Sequence, residues 1–239
     1  MSSWWQEVAR RWRTDAALAD LDLPAGALVA ALALGVVVVL VPSLWRLLRV
    51  AVTVVHELGH GVVGILVGRS FTGLVLRADM SGHAVTVGPQ HGPGRVVTTW
   101  AGYPAPAVVG LVLVWSATRG WAAPVLGGLT VILVVSLVRV RSWYTLLVML
   151  AATGGVGWLW WAGAPAAQGL ALVATGVLLT LGAWRHLAAV VRGPSRGSDP
   201  GVLARLTPLP AVGWNLSFVV VLGAASWLVA RLLAPLVVG

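Results

Sequence analysis

Long apolar runs separated by short polar breaks dominate this chain. Reading those runs between charges and helix breakers gives seven candidate membrane spans: Ala25–Leu44, Val50–Gly68, Val96–Ala117, Trp121–Val138, Trp143–Ala162, Ala166–Trp184 and Ala211–Leu233. Several are glycine-rich, with Gly64 and Gly68 one helical turn apart, which suits close helix packing in lipid. The polar stretch after the second span behaves differently. Two β-prone runs within Phe71–Val87 flank a turn around Asp79, the pattern of a hairpin. The expected fold is therefore an all-α polytopic membrane protein of six or seven transmembrane helices carrying one small membrane-associated β-hairpin.

Composition agrees with that class. The chain has 239 residues, 59% of them hydrophobic and 10% charged, with a mean hydropathy of +0.92. It has no cysteine, so disulfides and thiolate metal sites are excluded and any metal must be held by His, Asp or Glu. The net charge of +9 comes from arginines scattered between apolar runs, which fits membrane topology and gives no footprint for nucleic acid. With seven spans, twelve arginines fall on the side of the N-terminus and four on the other. The positive-inside rule then predicts a cytoplasmic N-terminus and an outer C-terminus in the cell membrane. Residues 1–24 precede the first span. Trp4, Trp5, Val8 and Trp12 recur at helical spacing beside Arg10, Arg11 and Arg13, which predicts a cytoplasmic amphipathic helix lying on the lipid surface.

One run inside the second span changes the picture. His56-Glu57-Leu58-Gly59-His60 places two imidazoles one turn apart on one helix face, able to share a zinc ion, with a carboxylate beside them suited to act as general base on water. The stretch from Arg49 to Arg69 holds no other charge. Ionisable groups at that depth are costly, about 2.5–3.5 kcal/mol each on insertion scales, and are characteristically functional. Given the chain's own composition, chance supplies such a run about 0.003 times. A buried polar patch without metal is the bland alternative, and it leaves Glu57 unexplained.

A catalytic zinc needs a third protein ligand. After Glu57 the chain offers two carboxylates, Asp79 and Asp199, and three histidines, His83, His91 and His186. Asp199 lies in the breaker-rich run Arg192–Gly201. A re-entrant loop there can bring it to the metal, yet Asp followed by Pro200 also reads as a helix N-cap, and local sequence leaves both open. Asp79 reads as a turn residue, His83 and His91 as polar loop residues, and His186 as an interfacial residue near a helix end.

Taken together these residues resemble the site-2 proteases, intramembrane zinc metalloproteases, and in particular their short bacterial branch without PDZ domains. The likeness rests on His56-Glu57-Leu58-Gly59-His60 in a span, the hairpin ending near Gly88, Ala101-Gly102-Tyr103-Pro104 opening a span, and Ser198-Asp199 followed by Leu203-Ala204 and Thr207. It covers roughly Val50 to Trp214 and implies His56, His60 and Asp199 as ligands of one Zn2+, Glu57 as base, and residues 25–239 as the membrane-embedded protease domain. It also implies a membrane-protein substrate bound as an added strand on the hairpin. The chain departs from the usual pattern around the third ligand, with Gly197-Ser198-Asp199-Pro200-Gly201 in place of Asn-Pro-Asp-Gly or Leu-Asp-Gly. It also lacks the Asn that follows Ala-Gly-Pro, so that Asn215, its only asparagine, is the remaining candidate amide donor. The rival readings are a scaffold that holds substrates without cutting them and a metal-ion transporter. Oligomeric state is not encoded in any feature of the sequence.

Overall fold

The computed structural model describes residues 2–14, 16–21, 23–24, 26–77, 79 and 81–238. Among these, helices α1 (Ser2–Arg11), α2 (Ala27–Leu40) and α3 (Pro42–Leu66) lead into a hairpin of β1 (Ser70–Leu76) and β2 (Gly82–Val87). Then follow α4 (Pro93–Trp100), α5 (Pro104–Thr118), α6 (Ala122–Leu137), α7 (Trp143–Ala162), α8 (Pro165–Arg192), α9 (Asp199–Leu206) and α10 (Ala211–Val238). The protein is thus an α-helical membrane bundle with one two-stranded antiparallel sheet.

Four helices are long and apolar enough to cross a bilayer alone: α3, α7, α8 and α10. A fifth span is broken. Helices α4 and α5 meet at 60° across Ala101-Gly102-Tyr103, where Pro104 begins α5 because its ring cannot continue the preceding helix. Two expected spans are short: α2 has 14 residues and α6 has 16. Fourteen residues rise about 21 Å, less than the hydrocarbon thickness of about 30 Å.

The break between α2 and α3 bears on the topology. Val41 is extended and Pro42 starts α3, but the chain does not turn back. Gly35 packs on Ala174 and Val177, Trp45 and Val52 pack on Gly182, and His56 meets His186, so both helices advance along α8 in one direction. Of the two, α3 alone is long enough to cross a bilayer, and α2 precedes it as a shorter apolar helix. Consequently Leu18 packs on Gly169, and Leu23 and Pro24 share a cavity with Pro235 and Leu236, so both termini lie at the same end of the bundle. Hydropathy alone divides the apolar run on each side of Arg46 and Arg49 into two spans.

The hairpin sits at the other end. Leu74, Leu76, Val54, Leu133 and Met149 bury together and fix it between α3, α6 and α7. The outer edge of β1 is closed by the segment after α6. Leu74 N–H donates to the Arg139 carbonyl at 2.8 Å, Arg141 N–H donates to the Leu74 carbonyl at 3.1 Å, and Leu76 N–H donates to Thr145 Oγ1 at 2.7 Å. Arginines tie the rest: Arg141 donates to the Thr72 carbonyl, Arg69 to Pro89 and Arg49 to the Asp79 carbonyl. Only the outer edge of β2 faces an opening.

Candidate metal centre

Helix geometry sets the first two groups. His56 and His60, four apart on α3, project onto one face, and their Nε2 atoms approach to 3.2 Å. Glu57 follows His56 and is equally buried; the two are 7–8% exposed. The third group arrives from far along the chain. A compact turn over Ser195–Ser198 feeds α9: Ser198 Oγ donates to the Ser195 carbonyl at 2.6 Å, and Gly201 lies so close to that carbonyl that no side chain fits there. Leu203, fully buried among Tyr103, Leu187 and Phe218, anchors the helix.

This places Asp199 Oδ2 at 3.2 Å from both imidazole Nε2 atoms. The cap position of α9 belongs to Ser198, and no side-chain hydrogen bond caps that helix. Burial alone would push the Asp199 carboxyl up. In the metal-free cluster the positive charge of a protonated His60, with His56 beside it, more than offsets that, holding it well below the usual carboxylate range.

Three observations fit these atoms to a metal. Their triangle has edges of 3.2 Å, close to the spacing of about 3.3–3.4 Å expected between ligand atoms of a tetrahedral zinc with bonds of 2.0–2.1 Å. His60 Nδ1 lies 2.7 Å from the Thr98 carbonyl, which can only accept, so Nδ1 carries the proton and Nε2 presents its lone pair inward. Asp199 Oδ2 is buried without a hydrogen-bond donor, an arrangement that a cation relieves. Among the described residues, His56, His60 and Asp199 form the one cluster with this geometry.

The surroundings are tightly built. Ala84 N–H on the open edge of β2 donates to Glu57 Oε2 at 2.7 Å. Gly82 lies against Glu57 and Thr53, where a Cβ would stand 2.7 Å from each. In the α4–α5 break, a Cβ on Gly102 would stand 2.5 Å from the His60 ring. A cavity of about 260 Å³ opens beside Glu57, the metal cluster and the β2 edge.

The other candidates separate cleanly. Asp79 is at the exposed hairpin tip, where its Oδ1 accepts from the Ser81 N–H at 2.9 Å, the turn role expected of it. His83 is exposed on β2 at the cavity rim, and His91 is exposed in the following loop. Asn215 lines a different cavity, behind α9 with Ser195 and Arg205, so it does not reach the metal cluster. His186 departs from expectation: its ring packs on His56 with centroids 5.4 Å apart. Thr98 and the Ala84 peptide went unrecognised in the sequence because they act through the backbone, which no residue spacing signals; Gly102 and Tyr103 were legible only as part of the run that opens a span.

Residues 29–229 match the sequence model of the Peptidase M50B-like family, a range that holds the hairpin, the cluster and all or most of every candidate span. No curated protein and no solved structure matches the chain.

Proposed function

The chain belongs to the Peptidase M50B-like family, the site-2 proteases, and on that premise we propose that it is a zinc-dependent endopeptidase cutting membrane-anchored proteins within or at the edge of the bilayer. The observation that carries this reading is the convergence of His56 Nε2, His60 Nε2 and Asp199 Oδ2 on one point beside Glu57. These three side chains would hold the zinc. When bound, zinc supplies a Lewis acid that acidifies water and polarises a carbonyl oxygen.

Glu57 does the proton work. Its Oε2 is fixed by the Ala84 N–H, which leaves Oε1 to take a proton from water as the oxygen adds to the scissile carbonyl carbon. The same carboxylic acid then returns that proton to the departing amine, so one water is consumed and a carboxylate and an amine are released. Peptide groups inside a spanning helix are internally bonded, so the substrate must unwind locally and its freed backbone groups need partners. With β1 closed by residues 139–145, the edge of β2 at Gly82 and Thr86, on either side of the Ala84 N–H that Glu57 holds, is where such a segment adds as a strand.

The arginines give the orientation of this reading. Of sixteen, eight (69, 77, 95, 139, 141, 192, 196 and 205) lie near the hairpin end and five (10, 11, 13, 119 and 231) near the terminal end; Arg46, Arg49 and Arg185 lie within α3 and α8. On the positive-inside rule the site then opens toward the cytoplasm and the terminal end faces outward. In this reading α1 lies on the outer face and residues 25–239 make up the protease domain.

Terminal-peptide mapping of membranes from cells producing either wild type or Glu57→Gln tests the reading. Wild type should create new termini in or beside transmembrane segments that Glu57→Gln does not create, although both proteins retain zinc. Identical termini in the two, with zinc bound in both, would instead identify a non-cleaving scaffold.

A further inference from the structure

The two zinc-facing imidazoles are supported unequally. His60 donates its outer nitrogen to the Thr98 carbonyl. The outer nitrogen of His56, Nδ1, is buried and has no hydrogen-bond partner in the protein. Histidines that bind metal through one nitrogen characteristically donate the other to a fixed acceptor, which sets the tautomer and holds the ring. His56 therefore lacks a support that its neighbour has.

Two rings outside the cluster pack on His56: Tyr103 with centroids 4.9 Å apart, and His186 at 5.4 Å and an interplanar angle of 63°. Of these only His186 carries ring nitrogens, and its Nδ1 is likewise buried and unpartnered. Tyr103 also flanks His186, at 6.0 Å, so the three rings pack against one another. The backbone of α8 holds His186 firmly. Arg185 donates to the Val39 carbonyl and lies over Trp45, and Leu187 is 2% exposed.

We infer that His186 is a positioning residue for His56, linked to its Nδ1 through one bridging water. A neutral imidazole offers one donor and one acceptor, so a water between the rings can accept from His56 Nδ1–H and donate to His186. The inference rests on the zinc reading above but concerns a residue outside the ligand set. His186 would then do for His56 what the Thr98 carbonyl does for His60.

The test uses full-length protein in detergent, with zinc affinity measured by chelator competition and the site reported by the visible spectrum of its cobalt-substituted form. His186→Phe keeps the ring and removes the nitrogens; His186→Asn returns a polar atom near the place of Nδ1. Loss of a partner of this kind characteristically lowers affinity about 10–100-fold. We expect a loss of that size with an altered cobalt spectrum in His186→Phe, wild-type melting of its metal-free form, and substantial recovery in His186→Asn. Wild-type affinity and spectrum in His186→Phe overturn the inference and leave the protease reading intact. Failure of wild type to bind zinc overturns both. If His186→Phe does not fold, His186→Gln serves, since its polar end stands near Nε2. Affinity reduced in it and recovered in His186→Asn supports the inference, and wild-type affinity in both overturns it.

Discussion

The two ends of this bundle use buried polar groups in opposite ways. At the terminal end, Gln168 is 3% exposed, and its amide nitrogen faces the carbonyls of Leu159, Trp160 and Gly163 at 3.0–3.2 Å, closing the C-terminus of α7, while its Oε1 is left without a partner and joins no cluster of metal-binding groups. Arg11 and Trp160 exchange hydrogen bonds with each other's backbone and dock α1 there. At the hairpin end, His56, His60 and Asp199 direct their polar atoms at one another across 3.2 Å, and Asp199 Oδ2 finds no donor. Polar groups that complete helix ends stabilise the fold. Polar groups gathered with coordination capacity to spare, where burial is costly, mark the place of a ligand.

Substitutions can break that contrast, and the largest effect belongs to the hairpin end. Glu57→Gln should lower cleavage by about 10²–10⁴-fold while zinc content stays at the wild-type level, read by peptide mapping and metal analysis. Gly102→Ala should come next. Its Cβ would stand 2.5 Å from the His60 ring, and forced overpacking costs about 1–3 kcal/mol, so zinc affinity should fall sharply in chelator competition. Gln168→Ala should do the reverse, lowering the melting temperature through a loss of about 1–3 kcal/mol without touching zinc affinity. A shared fall in zinc affinity would erase the distinction between the ends.

The smaller effects sharpen it. Zinc should be released progressively as pH falls, since the ligands must be deprotonated to hold it, followed by metal analysis after equilibration. The depressed carboxyl of Asp199 makes its contribution in full above the ordinary carboxylate value, about 3.9, and loses it as pH falls from there toward the lowered value. Gly154→Ala, at an exposed α7 position where a Cβ would meet nothing within 4 Å, should raise stability by about 0.4–1 kcal/mol.

Sequence reading succeeded where chemistry is local. The spacing of His56, Glu57 and His60 already implies a shared helix face, and alternation across Phe71–Val87 implies the hairpin. Asp199 remained open on local grounds, because Asp-Pro starts a helix whether or not its carboxylate finds a metal; the Ser195–Ser198 turn and the anchoring of Leu203 decide where it points. Val41-Pro42 is less legible. A proline between two apolar runs marks a break without telling whether the chain reverses, and here packing along α8 carries it onward. His186 escaped for a related reason. Its place beside Arg185 suggests a helix end, whereas α8 continues to Arg192 and turns that position inward.

The central claim is that three side chains from α3 and α9 hold one zinc. Metal analysis of the purified full-length chain, supplied with zinc, tests it through wild type, His56→Ala, Asp199→Ala and, as a control at the exposed hairpin tip, Asp79→Ala. The account expects about one zinc per chain in wild type and in Asp79→Ala, and none in the other two. Full zinc content in Asp199→Ala, or none in wild type, would contradict it.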